Sequence, residues 1–289
     1  MRIQHNITAM NSYRNYTANA GKLSKNLEKL SSGYKINRAG DDAAGLAISE
    51  KMRSQITGLN AAQKNVKDGI SLVKTAEGAL QEVQDMLNRM VYLAEQSENG
   101  TYDDSIDRNA LNDEVKALND EINRIATTAN FNGQKLLQGS LASVKFKIGD
   151  SAMTADTLNM GSVLSGAKLS ANGVSGLIKT ASAEVTTATK ASALLKTLRG
   201  NGLGDSTGVI NKVSQLRGRL GATQNRLEHT LKNLGVMTEN ITDAESNVRD
   251  TDVAEEMMAY TKNNILMQSA QAMLAQANQV PQGVLQLLQ

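Results

Sequence analysis

AAGLAISEKMRSQITGLNAAQKNVKDGISLVKTAEGALQEVQDMLNRMVYLAEQ, residues 43–96, reads as one unbroken helix. Apolar or tolerant residues fall at Met52, Ile56, Leu59, Gln63, Val66, Ile70 and Val73 in alternating steps of four and three. After a three-residue slip the series resumes at Ala76, Leu80, Val83, Leu87, Met90 and Ala94. This is a heptad seam, the pattern that lets one helix lie along another. The slip resembles a stammer, which overwinds a supercoil locally without ending it. At about 1.5 Å per residue such a helix reaches roughly 80 Å, too long for one compact domain. It requires partner helices alongside it, and the rest of the chain supplies them.

Upstream, a short seam at Ala20, Leu23, Leu27, Leu30 and Tyr34 follows a segment rich in Asn6, Asn11, Ser12 and Asn15. Those residues form helix poorly, so this part is expected to be disordered in a monomer and to order only against a partner. Downstream, Leu111, Val115, Leu118, Ile122 and Ile125 mark a second rod helix, capped around Asp104 or Ser105, with Asp120 and Arg124 one turn apart on its outer face. A third seam runs through Val213, Leu216, Leu220, Thr223, Leu227, Thr230, Leu234, Met237, Ile241, Ala244 and Val248. Asp41 and Asp42 suit the N-cap of the long helix, and Asn99-Gly100 its left-handed C-terminal cap. Asn132-Gly133 predicts a turn. Val144, Phe146 and Ile148 alternate with Ser143, Lys145 and Lys147 as in a half-buried strand, Ala171–Gly173 reads as another turn, and Ala191–Leu198 reads as a short helix.

The composition agrees. Aromatic residues are 3% of the 289, with two Phe, no Trp and a single Pro. A thin core of Leu, Ile, Val, Met and Ala in long uninterrupted helices follows. The fold class is mainly α: a long antiparallel bundle or coiled coil with a small β-hairpin region and paired N- and C-terminal helices. The net charge of +2 comes from mixed signs without a basic block, which argues against nucleic acid as a partner. No eighteen-residue apolar run argues for a membrane span. The N-terminus, MRIQHNITAM, lacks the apolar core of a signal peptide. Cysteine is absent. His5 and His229 lie in different segments, and no HExxH, P-loop or GxGxxG is present, so neither an enzyme nor a cofactor is expected. Residues 263–289 carry no Asp, Glu, Lys or Arg. A helix without charge on any face is either packed on all sides or buried in an assembly, and with nothing to solvate its outer face assembly is the favoured reading.

KINRAGDDAAGLAIS at 35–49 and NLEKLSSGYKIN at 26–37 resemble, nearly residue by residue, the N-terminal block and spoke of bacterial flagellins. ANFNGQKLL at 129–137, GATQNRLEHTLKNL at 221–234, NVRDTDVAEEM at 247–257 and LAQANQVPQGVLQLLQ at 274–289 are similar to that family's later blocks. The resemblance implies an exported structural subunit that self-assembles into the motility filament. Its inner core would be a coiled coil of 1–42 with 249–289, and its rod would be 43–248. Within the rod, 140–205 would form a hairpin and loop region, too short for outer variable domains. Leu23, Leu27, Leu30, Leu274, Val280, Val284, Leu285 and Leu288 would pack the polymer core, and Asn37, Asp41, Asp42, Asp250 and Asp252 would form the spoke or hinge. Arg89, Leu93 and Glu114 would face either a neighbouring rod or the vertebrate Toll-like receptor that senses flagellin. Implied partners are other copies, the secretion chaperone, the filament cap and the hook-junction proteins. Export would use the flagellar type III apparatus. Two other readings are a hook–filament junction protein, disfavoured by LAQANQ, and a coiled-coil recognition protein acting as an innate-receptor ligand.

Overall fold

Local chemistry sets where each helix starts and stops. In the computed structural model, which describes residues 6–138, 145–149, 156–159, 184–200 and 208–287, with 281–287 as backbone only, α1 spans Ile7–Ser32. Asn6 caps it by accepting the Ala9 N–H at 3.1 Å. Gly33, at φ 76°, ends it and donates to the Lys29 carbonyl at 2.8 Å. This left-handed turn suits glycine. The early part of α1, poor in intrinsic helix formers, is helical here with the chain's own C-terminal helix lying against it. Asp42 Oδ1 accepts the Ala44 and Gly45 N–H groups at 3.1 and 2.9 Å and starts α2, Ala43–Glu98. Then follow α3 (Asp107–Thr128), the pair β1 (Asn130–Phe131) and β2 (Gln134–Lys135), β3 (Lys145–Lys147), β4 (Thr157–Asn159), α4 (Ala188–Arg199), α5 (Val209–Arg249) and α6 (Val253–Leu287).

The chain divides into two compact units, residues 57–238 and residues 1–56 with 239–289. The division falls inside α2 and α5.

In the 57–238 unit, the heptad seams form the core. Val66, Val73, Ala76, Leu80, Val83, Leu87, Met90 and Ala94 of α2 are wholly buried, as are Val115 and Ile122 of α3, Leu194 and Leu198 of α4, and Val213, Leu220 and Leu227 of α5. Each such Leu contributes about 1.5–3 kcal/mol relative to exposure. Burial continues through the slip at Ala76. On α5 the seam departs from its expected path: Met237 is 40% exposed. Thr238 replaces it, because Gln63 donates to Thr238 Oγ1 at 2.9 Å and to the Leu234 carbonyl at 3.2 Å. Arg217 adds a polar tie to α2 through Gln84 at 2.7 Å and Glu77 at 3.2 Å.

The α2–α3 turn differs from its expected caps. Gly100 is not among the positive-φ glycines of the described residues. The buried Arg108 caps α2 instead, donating to the Ser97 carbonyl at 2.9 Å and the Asn99 carbonyl at 3.0 Å. Neither Asp104 nor Ser105 caps α3. Asp104 pairs with Arg108, and Asp103 accepts both the backbone and hydroxyl hydrogens of Ser105, at 2.7 and 2.6 Å. Arg124 pairs with Glu121, three residues back, in place of Asp120.

Asn132-Gly133, at φ 49° and 79°, closes the β1–β2 hairpin. Antiparallel β3–β4 pairs Phe146 with Leu158 and sits on α2, where Asn65 donates to the Lys147 carbonyl at 3.2 Å. Ser143, Val144, the Ala171–Gly173 turn and most of the 140–205 region lie outside the described residues. The expected short helix at 191–198 is α4, capped by Thr187.

Candidate assembly site

The hinge of the unit formed by 1–56 and 239–289 joins two segments far apart in sequence. Tyr34 and Asp250 form an antiparallel bridge. Lys35 N–H donates to the Arg249 carbonyl at 2.7 Å, and Thr251 N–H to the Gly33 carbonyl at 3.0 Å. The Arg249 guanidinium stacks 4.7 Å from the Tyr34 ring centre and donates to Glu50 at 2.9 Å and to Ser49 Oγ at 3.3 Å. Ser49, fully buried, donates in turn to Glu245 at 3.2 Å.

Of the expected spoke residues, Asn37 donates to the Tyr34 carbonyl at 3.1 Å. Asp41 Oδ2 accepts the Arg38 N–H at 3.1 Å. That bond holds the Asp41 carboxyl below its ordinary value, with further help from the Asn37 N–H and the charges of Lys25 and Lys29. Asp252 caps α6, accepting the Ala254 N–H at 2.8 Å. Asp250 takes part through its backbone. A side chain at Gly45 would place Cβ 2.5 Å from Asp42 Oδ2 and 2.7 Å from Ile36 Cδ1, so this close approach belongs to glycine. The Arg249, Glu50, Ser49, Glu245 and Tyr34 cluster was not visible in sequence. Its only signal is the polar run that replaces apolar residues where α5 ends.

The second feature is the α1–α6 pair. Its ties are polar: Lys29 to Glu256 at 3.6 Å, Asn6 to the Ala277 carbonyl at 2.8 Å, and the buried Asn26 amide accepting from Asn263 at 3.3 Å in the orientation that satisfies both of its atoms. Among its described side chains only Asn26 and Ala270 are buried. Ile7, Met10, Tyr13, Ile265 and Met273 are each more than half exposed. Of the expected polymer-core residues, Leu23, Leu30 and Leu274 are half-buried, while Leu27 and Val280 are 51% and 49% exposed. Leu23 and Leu27 line a shallow, largely apolar groove with Ala20 and Met267. Val284 and Leu285 lie in α6, and Leu288 lies outside the described residues.

The third feature lies on the 57–238 unit. Arg89 pairs with Glu114 at 2.8 Å and lies 5.3 Å from the Tyr92 ring centre. Leu93, expected on the same exposed face, is instead 1% exposed and belongs to the core. Four residues rotate a helix by about 40° past a full turn, enough to carry Leu93 from the exposed edge inward. In the same unit the buried Asn112 accepts the Val185 N–H at 3.1 Å, and Ser97 Oγ donates to the Val185 carbonyl at 2.7 Å. This clamp on the returning chain joins residues too distant for sequence periodicity to link. Among the described residues no three His, Asp or Glu side chains gather as metal ligands.

Comparison with known proteins assigns both ends of the chain. Residues 3–142 match the bacterial flagellin N-terminal helical region, and residues 204–288 match the bacterial flagellin C-terminal helical region. The chain is 48% identical to flagellin of Bacillus subtilis over 303 residues and 50% identical to flagellin of Halalkalibacterium halodurans over 290, covering 100% of each chain in both cases. It is 44% identical, again over 100% of both chains, to the flagellar filament 30.7 kDa core protein of Treponema maltophilum. The crystal structure of Bacillus cereus flagellin aligns with TM-score 0.47 at 28% identity, over 59% of this chain and 88% of that one.

Proposed function

The chain belongs to the bacterial flagellin family and is a structural subunit of the extracellular flagellar filament, and from that premise we propose that it enters the polymer through its α1–α6 pair. The observation that carries this reading is the pair's missing core. Two helices that among their described side chains bury only Asn26 and Ala270, and leave Ile7, Met10, Tyr13, Ile265 and Met273 in water, need apolar surface from outside. Neighbouring copies supply it. Leu23, Leu27, Leu30, Leu274, Val280, Val284, Leu285 and Leu288 then pack between copies, and the bridge of Tyr34 to Asp250 sets the path of the chain into and out of that layer.

The same apolar surface needs cover before assembly, and we assign that task to the secretion chaperone, with export of an unfolded chain through the flagellar type III apparatus. The cap and the hook-junction proteins meet the subunits at the filament's ends. The exposed Arg89–Glu114 pair beside Tyr92 contacts a neighbouring rod, and the same face is the one offered to the flagellin-sensing Toll-like receptor.

Deletion of residues 263–289 tests the core reading. The shortened chain is expected to keep the helicity of α2, α3 and α5 by circular dichroism and to fail to elongate short filament seeds in electron micrographs. Normal filaments from the deleted chain would refute it.

A further inference from the structure

The chain has twelve methionines and no cysteine, so thioethers are its only sulfur redox chemistry. Their placement is uneven. Met90 is wholly buried in the rod, whereas Met10 of α1 is 61% exposed and Met257, Met258 and Met273 of α6 are 47%, 68% and 64% exposed. Met258, Ile265, Met273 and Val280 stand seven, eight and seven residues apart, near two helical turns per step, and so form one row along α6. All four are about half exposed or more. The α6 residues tied to α1 are others: Glu256, Asn263 and Ala277. The row is thus an apolar helical stripe that α1 leaves uncovered, and half of its members are oxidisable.

Resting on the filament reading above, we propose that Met258 and Met273 form an oxidation site that gates assembly: their sulfoxides keep the unassembled chain out of the filament. With hydrogen peroxide as oxidant, the thioether sulfur attacks one peroxide oxygen and the O–O bond breaks. A sulfur–oxygen bond forms, and the other oxygen leaves as water after proton transfer. Sulfur is oxidised by two electrons and peroxide is reduced by two. The product replaces a flexible apolar side chain by a polar acceptor, which disrupts methionine-rich interfaces and is reversible by methionine sulfoxide reductases. Covering that oxygen with apolar surface lacks any compensating hydrogen bond, so elongation falls by about tenfold or more. Once the stripe is covered in the polymer, its sulfurs are shielded and the gate acts only on free subunits.

The test treats the purified full chain with dilute hydrogen peroxide, maps sulfoxides by peptide mass spectrometry and measures elongation of seeds. Expected are sulfoxides at Met258 and Met273 with Met90 unmodified, a loss of elongation of about tenfold or more, and its recovery after reductase treatment. Met10 and Met257, 61% and 47% exposed, are oxidisable too, so the substitutions are made on a Met10→Leu, Met257→Leu background whose own loss on treatment stays about tenfold. With Met258→Leu and Met273→Leu added, the ratio of treated to untreated rates returns to within about twofold of one, whatever that chain's own rate. Oxidised subunits that elongate at the untreated rate overturn the proposal alone. So does an unrecovered loss after reduction, a background chain that no longer loses elongation on treatment, or a chain with all four substitutions that loses the same factor. Untreated full chain that never elongates overturns the filament reading and this gate together.

Discussion

The carboxylate of Asp41 is ionised more readily in the folded hinge than in the free chain, chiefly because it accepts the Arg38 N–H. Desolvation works against this, while the Asn37 N–H, Lys25 and Lys29 add to it. A depressed folded value means that the group stabilises the hinge above its ordinary value of 3.8 and that this contribution is lost as pH falls through the folded value. The melting temperature of the intact chain is therefore expected to drop more steeply between about pH 5 and 3 than that of Asp41→Asn. Equal slopes in a pH series would remove Asp41 from the account. Residues of this kind are legible in sequence, because a cap acts over three or four positions: Asp42 and Asp252 sit where helix starts require them. Arg249 is not legible. Its partner Glu50 is 199 positions away, and only the folded chain brings them to 2.9 Å. Leu93 marks the opposite error, since matching a motif named the residue while the helix phase decided its exposure.

At the scale of the element, the heptads of α2 and α5 gave the architecture, because a repeated apolar spacing leaves a long helix few other ways to bury itself. The reading failed where a polar pair outcompeted the spacing. Gln63 draws Thr238 into the seam and leaves Met237 at 40% exposure, although both positions fit a four–three step from Leu234. The two cases predict opposite outcomes for the same kind of truncation. Leu80→Ala, at a wholly buried position, is expected to cost about 2–5 kcal/mol in urea unfolding. Met237→Ala is expected to change stability by no more than about 0.5 kcal/mol, as at an ordinary surface position. Similar losses at both sites would show that Met237 belongs to the seam after all. For the early part of α1, propensity counts only the helix itself, whereas α6 and the Asn6 cap supply the rest.

At the scale of the whole molecule, stability is divided unevenly. The unit of residues 57–238 holds most of the wholly buried Leu, Ile and Val side chains, while the α1–α6 pair is held by an amide pair, an ion pair and little apolar burial. Regions with few buried apolar contacts open at low free-energy cost, and their amides exchange first. In the free subunit, amides of α1 and α6 are therefore expected to exchange with deuterium well before those of α2 between Leu59 and Ala94. In filaments the ordering should change for one unit alone. On the proposed assembly the terminal helices should gain protection, since Ile7, Met10, Ile265 and Met273 are exposed in the single chain and would be covered by neighbouring copies, whereas the buried rod positions have little left to gain. Hydrogen-exchange mass spectrometry on matched monomer and filament samples reads both outcomes. Terminal helices as slow to exchange as the rod in the monomer would mean that the pair is stable alone. Terminal helices unprotected in the filament would mean that assembly leaves their apolar faces uncovered. On the assembly proposed above, the part of the subunit that opens most easily is the part that meets other copies, so its apolar surface is covered at the step that adds the subunit to the polymer.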